Sequence, residues 1–124
     1  MNKTMNKTDA ATVAVVAARA ADEKQGSNII VLDVGDILAI TEMFVVVSAS
    51  NSRQLRTIAN EITAKIREES ERPLLRSEGM SEQQWVLLDY GDVIVHIFSE
   101  DIREFYEIER LYQDVPVVDW QAIA

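Results

Sequence analysis

The stretch from Trp85 to Phe98, WVLLDYGDVIVHIF, constrains this chain more than any other. All of it is apolar, aromatic or histidine except Asp89, Gly91 and Asp92, and Gly91 can take the positive φ of a tight turn without steric cost. Two strands, Trp85 to Tyr90 and Val93 to Phe98, therefore form an antiparallel hairpin. A two-residue loop, whether Tyr90-Gly91 or Gly91-Asp92, fixes the parity. One face then carries Val86, Leu88, Tyr90, Val93, Val95 and Ile97 and is core. The other carries Trp85, Leu87, Asp89, Ile94, His96 and Phe98. A face merely covered by a helix has no need of an acid and the chain's only histidine, so this second face is the first candidate for a working surface.

A length of 124 residues suits one domain with a single core. The absence of cysteine excludes disulfides, thiolate catalysis and cysteine-ligated zinc, and one histidine argues against a histidine-rich metal site. Twelve basic against twenty-one acidic residues give a net charge of −9, which repels a phosphate backbone and disfavours direct DNA binding. A basic protein is the expected partner. No apolar run is long enough to span a membrane and the opening MNKTMNKT lacks a secretory apolar segment, so the expected location is cytoplasmic.

Residues 1 to 7 read as a disordered extension, 8 to 120 as one domain and 121 to 124 as a tail. Helical spacing of Val13, Val16, Ala17, Ala20 and Ala21 predicts a helix over about 9 to 24, capped by Thr8 or Asp9. Asn28 to Val34 and Met43 to Ser48 are apolar runs expected as central strands buried on both faces, joined by a connector with one helical turn. Ser50-Asn51-Ser52 caps a helix of about 52 to 69, with Asn51 as N-cap and Gln54 completing a capping box. Pro73 to Arg76 is expected as a short edge strand and Ser77 to Gln84 as a polar loop around Gly79. After the hairpin, Ser99 caps a helix over Glu100 to Tyr112 whose packing stripe is Ile102, Phe105, Ile108, Leu111 and Tyr112. Arg103, Tyr106 and Arg110 share its other face. The final residues dock through Trp120. The order α-β-β-α-β-β-β-α implies an α/β fold, a mixed sheet flanked by helices.

Each candidate site has an ordinary explanation beside it. A lone strand histidine such as His96 is more often a structural hydrogen-bonding group than a catalyst. Trp85 suits a core and a binding hot spot equally well. Asp89 and Asp92 flank a turn that favours aspartate, and they are not side by side as a two-carboxylate metal site requires, so no metal is expected. Ser50-Asn51-Ser52 resembles a phosphate-binding helix start but has neither a glycine-rich loop nor a lysine. The Arg103, Tyr106 and Arg110 cluster is in the ordinary case a solvated helix face, but an exposed tyrosine between two arginines also suits a contact patch.

Several motifs together are similar to the ribosomal silencing factors, also called the Iojap family. They are Val31 to Val34 (VLDV), Ile40 to Phe44 (ITEMF) and Ser50 to Gln54 (SNSRQ), then Trp85 to Asp89, Gly91 to His96, Arg103 to Tyr106 and Ile108 to Leu111. The likeness runs from about Ala20 to Trp120. Glu42 stands where the family usually has Asp, and Tyr112 where it usually has Trp. The resemblance implies a nucleotidyltransferase-like fold without transferase activity or cofactor. It also implies a translational repressor that binds a protein of the large ribosomal subunit and sterically blocks joining of the small subunit when nutrients are limiting. A homodimer of the free protein is part of the same expectation. Trp85, Asp89, His96, Arg103 and Tyr106 are the expected partner-binding residues. The rival is a residual nucleotidyltransferase, which needs a glycine-serine helix start and paired strand carboxylates that this sequence lacks.

Overall fold

The computed structural model describes residues 8 to 122, so the extension expected at residues 1 to 7 and the end of the tail lie outside the described residues. Helix α1 (Ala10–Glu23) follows Asp9 as its N-cap. Strands β1 (Ser27–Asp33) and β2 (Met43–Ala49) come next, then helix α2 (Ser52–Ser70). Strands β3 (Arg76–Glu78), β4 (Trp85–Asp89) and β5 (Val93–Ser99) lead into α3 (Glu100–Tyr106), a 3-10 helix (Ile108–Tyr112) and β6 (Val117–Val118). The six strands form one mixed sheet in the order β3-β4-β5-β2-β1-β6, with β2 and β5 parallel and the remaining neighbours antiparallel. No helix among the described residues is long and apolar enough to cross a membrane.

The hairpin takes the expected parity. Trp85 pairs with Phe98 and Asp89 with Ile94, and the Tyr90 N–H donates to the Val93 carbonyl at 2.9 Å, leaving Gly91-Asp92 as the two-residue loop. Gly91 sits at φ +91°, and the Asp89 carboxylate accepts its N–H at 2.8 Å. Val86, Leu88, Tyr90, Val93, Val95 and Ile97 are all buried and pack with Val45 and Val47 beneath α1 and α2. The core lies on this side. Leu55, Ile58, Ile62 and Ile66 supply the sheet-facing stripe of α2, and the alanines of α1 let that helix approach closely.

Four local expectations are corrected. The strand expected at Pro73 to Arg76 is instead Arg76–Glu78; the Leu75 N–H still donates to the Asp89 carbonyl at 2.9 Å just ahead of it, and Pro73, with no N–H, cannot extend the ladder further. The single helical turn expected in the connector comes earlier, at its start: the Ile37 and Leu38 N–H groups both donate to the Val34 carbonyl, an i+3 and an i+4 bond that close one turn. Strand β2 is buried throughout, but β1 is second from the edge, and Ser27 to Ile30 are not fully buried. The missing partner is short: β6 covers β1 only at Val31 and Leu32.

The largest correction concerns the last helix, which stops at Tyr106 and not at Tyr112. Glu107 turns left-handed at φ 45°, its N–H donates to the Arg103 carbonyl, and the chain resumes as a 3-10 helix. The break rotates the expected stripe. Phe105 and Leu111 are exposed, whereas Arg103 faces the sheet and is buried.

Candidate functional site

The second sheet face is built from alternate residues of five strands. Register places Arg76 opposite Asp89, Trp85 opposite Phe98, Leu87 opposite His96, and Phe44 and Val46 beside Ile94 and His96. On the β1 side this face is closed by Leu32, Phe44, Val115 and Tyr112. On the β4 side it stays open.

An aromatic cluster occupies the open part. Trp85 packs on Phe98 with ring centroids 4.8 Å apart and on Tyr106 at 5.1 Å, and Tyr106 meets Phe105 edge-on at 5.0 Å. Tyr106 is 51% exposed and Phe105 77%. Because the helix ends after two turns, both aromatic side chains stand outward at its tip. Such an arrangement offers rigid, amphipathic contact area at low entropic cost.

His96 lies beneath this cluster and is only 6% exposed. The Trp85 indole Nε1–H donates to His96 Nδ1 at 3.1 Å, and since an indole nitrogen can only donate, the ring hydrogen of the neutral imidazole resides on Nε2. Burial pushes the His96 pKa down to about 4. The uncharged imidazole therefore orients Trp85.

Arg103, 8% exposed, donates from one guanidinium nitrogen to Ser48 Oγ at 2.9 Å and from Nε to Glu109 at 3.1 Å. It fastens α3 to β2 and to the 3-10 helix across the Glu107 turn. The contact patch of Arg103, Tyr106 and Arg110 expected on one helix face is thus not formed: Arg103 is internal, and Arg110 is exposed beside Glu107 at 3.5 Å. Glu100, Glu104, Glu107 and Glu109 line a 550 Å³ cleft with Arg103, giving this corner an acidic rim. Arg103→Ala should cost about 2 kcal/mol, below the range for a fully buried pair because Glu109 retains solvent contact. A melting curve unchanged from wild type would contradict this anchoring role.

Asp89 is occupied on both oxygens, by the Gly91 N–H and by Arg76 Nε at 3.1 Å. Its first task is the turn. The Ser50-Asn51-Ser52 helix start is likewise satisfied internally, since Asn51 Oδ1 accepts from the Gln54 N–H at 2.8 Å. Gln54 Oε1 accepts from the Ser50 N–H, one residue before the position a capping box would use, and its amide donates to the Lys24 and Gln25 carbonyls. That side chain joins the start of α2 to the end of α1. Two of the donors at this junction, the Ser50 and Gln54 N–H groups, are thus already taken by side-chain acceptors.

Sequence reasoning missed the exposed apolar residues around the connector. Leu38, Ile40, Leu75, Leu87 and Ile94 line a 430 Å³ groove on the open face, floored by Phe44, Thr41 and His96. The motif at Ile40 to Phe44 was the available signal.

The model of a family described as ribosomal silencing factor during starvation matches residues 7–124. A ribosomal silencing factor of Bacillus subtilis is 36% identical over 104 residues, covering 84% of this chain and 87% of that protein. A mouse protein named mitochondrial assembly of ribosomal large subunit protein 1 is 25% identical over 92 residues, covering 73% of this chain and 40% of the mouse protein. The crystal structure of a Chromobacterium violaceum protein superposes with a TM-score of 0.81 at 30% identity, covering 85% of this chain and 87% of that one. The chain belongs to the family of ribosomal silencing factors.

Proposed function

We propose that this protein represses translation by docking its open sheet face on a protein of the large ribosomal subunit at the intersubunit surface, where it blocks joining of the small subunit. The observation that carries this reading is the exposed Tyr106-Trp85 stack, fixed from below by His96 and from the side by Arg103. An aromatic centre with a charged rim is the usual make-up of a binding hot spot. The acidic rim and the net charge of −9 suit a basic ribosomal protein. The name of the mouse relative adds support for the large subunit.

On this reading the chain acts in the cytoplasm, on a nucleotidyltransferase-like fold that serves as a binding scaffold and not as an enzyme. Tyr106 and Trp85 make the contact; Asp89 shapes the turn beside it, and His96 and Arg103 act as positioning residues. Tyr106→Ala should leave the melting temperature nearly unchanged, because the side chain is half exposed, and should weaken binding to purified large subunits by about 2 kcal/mol, close to thirtyfold. A folded Tyr106→Ala protein that binds as tightly as wild type would defeat the assignment of this surface.

A further inference from the structure

Residues 100 to 112 carry the sequence pattern of one helix and form two. The stretch EDIREFYEIERLY contains no glycine, proline or asparagine. Yet α3 stops at Tyr106, because Glu107 turns left-handed at φ 45°, a conformation that is costly for an L side chain and ordinarily left to glycine. A piece of 3-10 helix inside a helical pattern often marks a hinge. The broken form is also thinly packed. Arg103 is the one buried residue from Glu100 to Tyr112, and Phe105 and Leu111 are 77% and 75% exposed.

What holds the break is a latch. Arg103 donates from Nε to Glu109 at 3.1 Å and from a second nitrogen to Ser48 Oγ at 2.9 Å, while Tyr112 meets Phe44 edge-on at 5.2 Å. On an uninterrupted helix, residues as far apart as Arg103 and Glu109 point about 120° away from each other, so this ion pair forms only when the helix is broken. The uninterrupted helix would instead set Ile108 beside both Phe105 and Leu111, and Arg110 beside Tyr106. The two forms thus exchange the Arg103–Glu109 pair for an apolar ridge and a relaxed Glu107.

We infer that the corner from α3 to the 3-10 helix is a two-state element, and that the broken form is the one that docks. In the broken form Phe105 and Tyr106 stand free at the helix tip; in the continuous form Ile108, Glu109 and Arg110 flank and cover them. Arg103 and Glu109 are the latch, and the backbone preference of residue 107 sets the balance. Apparent affinity then falls with the fraction of molecules in the broken form. The docking role rests on the function proposed above, whereas the two-state behaviour does not.

The test compares the full chain in two double variants, Glu107→Gly with Glu109→Gln, and Glu107→Ala with Glu109→Gln. Both lose the same charges and the same latch, so they differ only in what the backbone at residue 107 prefers: glycine tolerates the left-handed turn and alanine favours the helix. In cosedimentation with purified large subunits, the alanine variant should bind more weakly than the glycine variant by about fivefold or more. Its NMR spectrum should gain a contact between the Tyr106 α-proton and the Arg110 amide proton, which only the continuous helix brings together, and the glycine variant should lack it. Equal binding by the two folded variants, or weaker binding by the alanine variant without the new contact, overturns the inference. An alanine variant that fails to fold also overturns it, since the continuous helix is then no alternative. If the contact appears but wild type itself does not bind large subunits, the docking reading is what has failed and the two-state element stands.

Discussion

Gly79→Ala is expected to destabilise the domain by at least about 3 kcal/mol, seen as a fall in Tm of roughly 10 °C for a chain of this size. Gly79 adopts φ +87°, and a Cβ built there would come within 2.0 Å of the Trp85 carbonyl oxygen. The obstacle is backbone and cannot rotate aside. Left-handed strain and a collision with the first residue of β4 therefore add together. At Gly91, also left-handed, an added Cβ would meet only the flexible end of Leu75 at 3.4 Å, so substitution there should cost less. Because Gly79 leans on Trp85, the damage should extend to partner binding. A Gly79→Ala protein melting within two or three degrees of wild type would show that the loop can relax.

Acid should weaken the fold through His96. The folded-state pKa, about 4, lies below the ordinary value of 6.5, so between those values the unfolded chain binds the proton more readily. The stability conferred by the neutral imidazole is fully present above pH 6.5 and is lost as pH falls toward 4, with a total of roughly 3 kcal/mol. Protonation would also place an N–H on Nδ1 facing the Trp85 indole N–H, setting two donors against each other. His96→Asn keeps an acceptor near that position and does not titrate. Wild type should lose its stability advantage over this variant across that pH window, and parallel stability curves would contradict the account.

The hairpin was legible in the sequence because its pleat has a period of two and its turn carries a glycine: once Gly91 was placed, every side chain from Trp85 to Phe98 was assigned to a face. Helix α2 was legible from Asn51 and its apolar stripe. The end of α3 was not. Glu107 adopts a left-handed conformation usually marked by Gly or Asn, and nothing in EDIREFYEIERLY announces it. From this one turn follow the burial of Arg103 and the exposure of Phe105. Strand β6 was missed for a different reason, since two residues are too few to show a period, although the docking of Trp120 was anticipated and its indole N–H reaches the Ile29 carbonyl at 3.4 Å. At the candidate site, residue types singled out one sheet face as a candidate, but only the tertiary contacts separated exposed Tyr106 from buried His96 and Arg103. The groove at Ile40 joins residues from the connector, β2 and the hairpin, so the Ile40 to Phe44 motif marks one wall of it and no local pattern shows the others.

Occlusion of subunit joining is tested most directly by incubating large subunits with the protein, adding small subunits, and separating the mixture on a sucrose gradient. The protein should travel with free large subunits, be absent from assembled ribosomes, and lower the assembled fraction in proportion to the large subunits it occupies. Tyr106→Ala should restore joining. A gradient in which the protein travels with assembled ribosomes, or in which saturated large subunits join small subunits at the normal level, would contradict the mechanism.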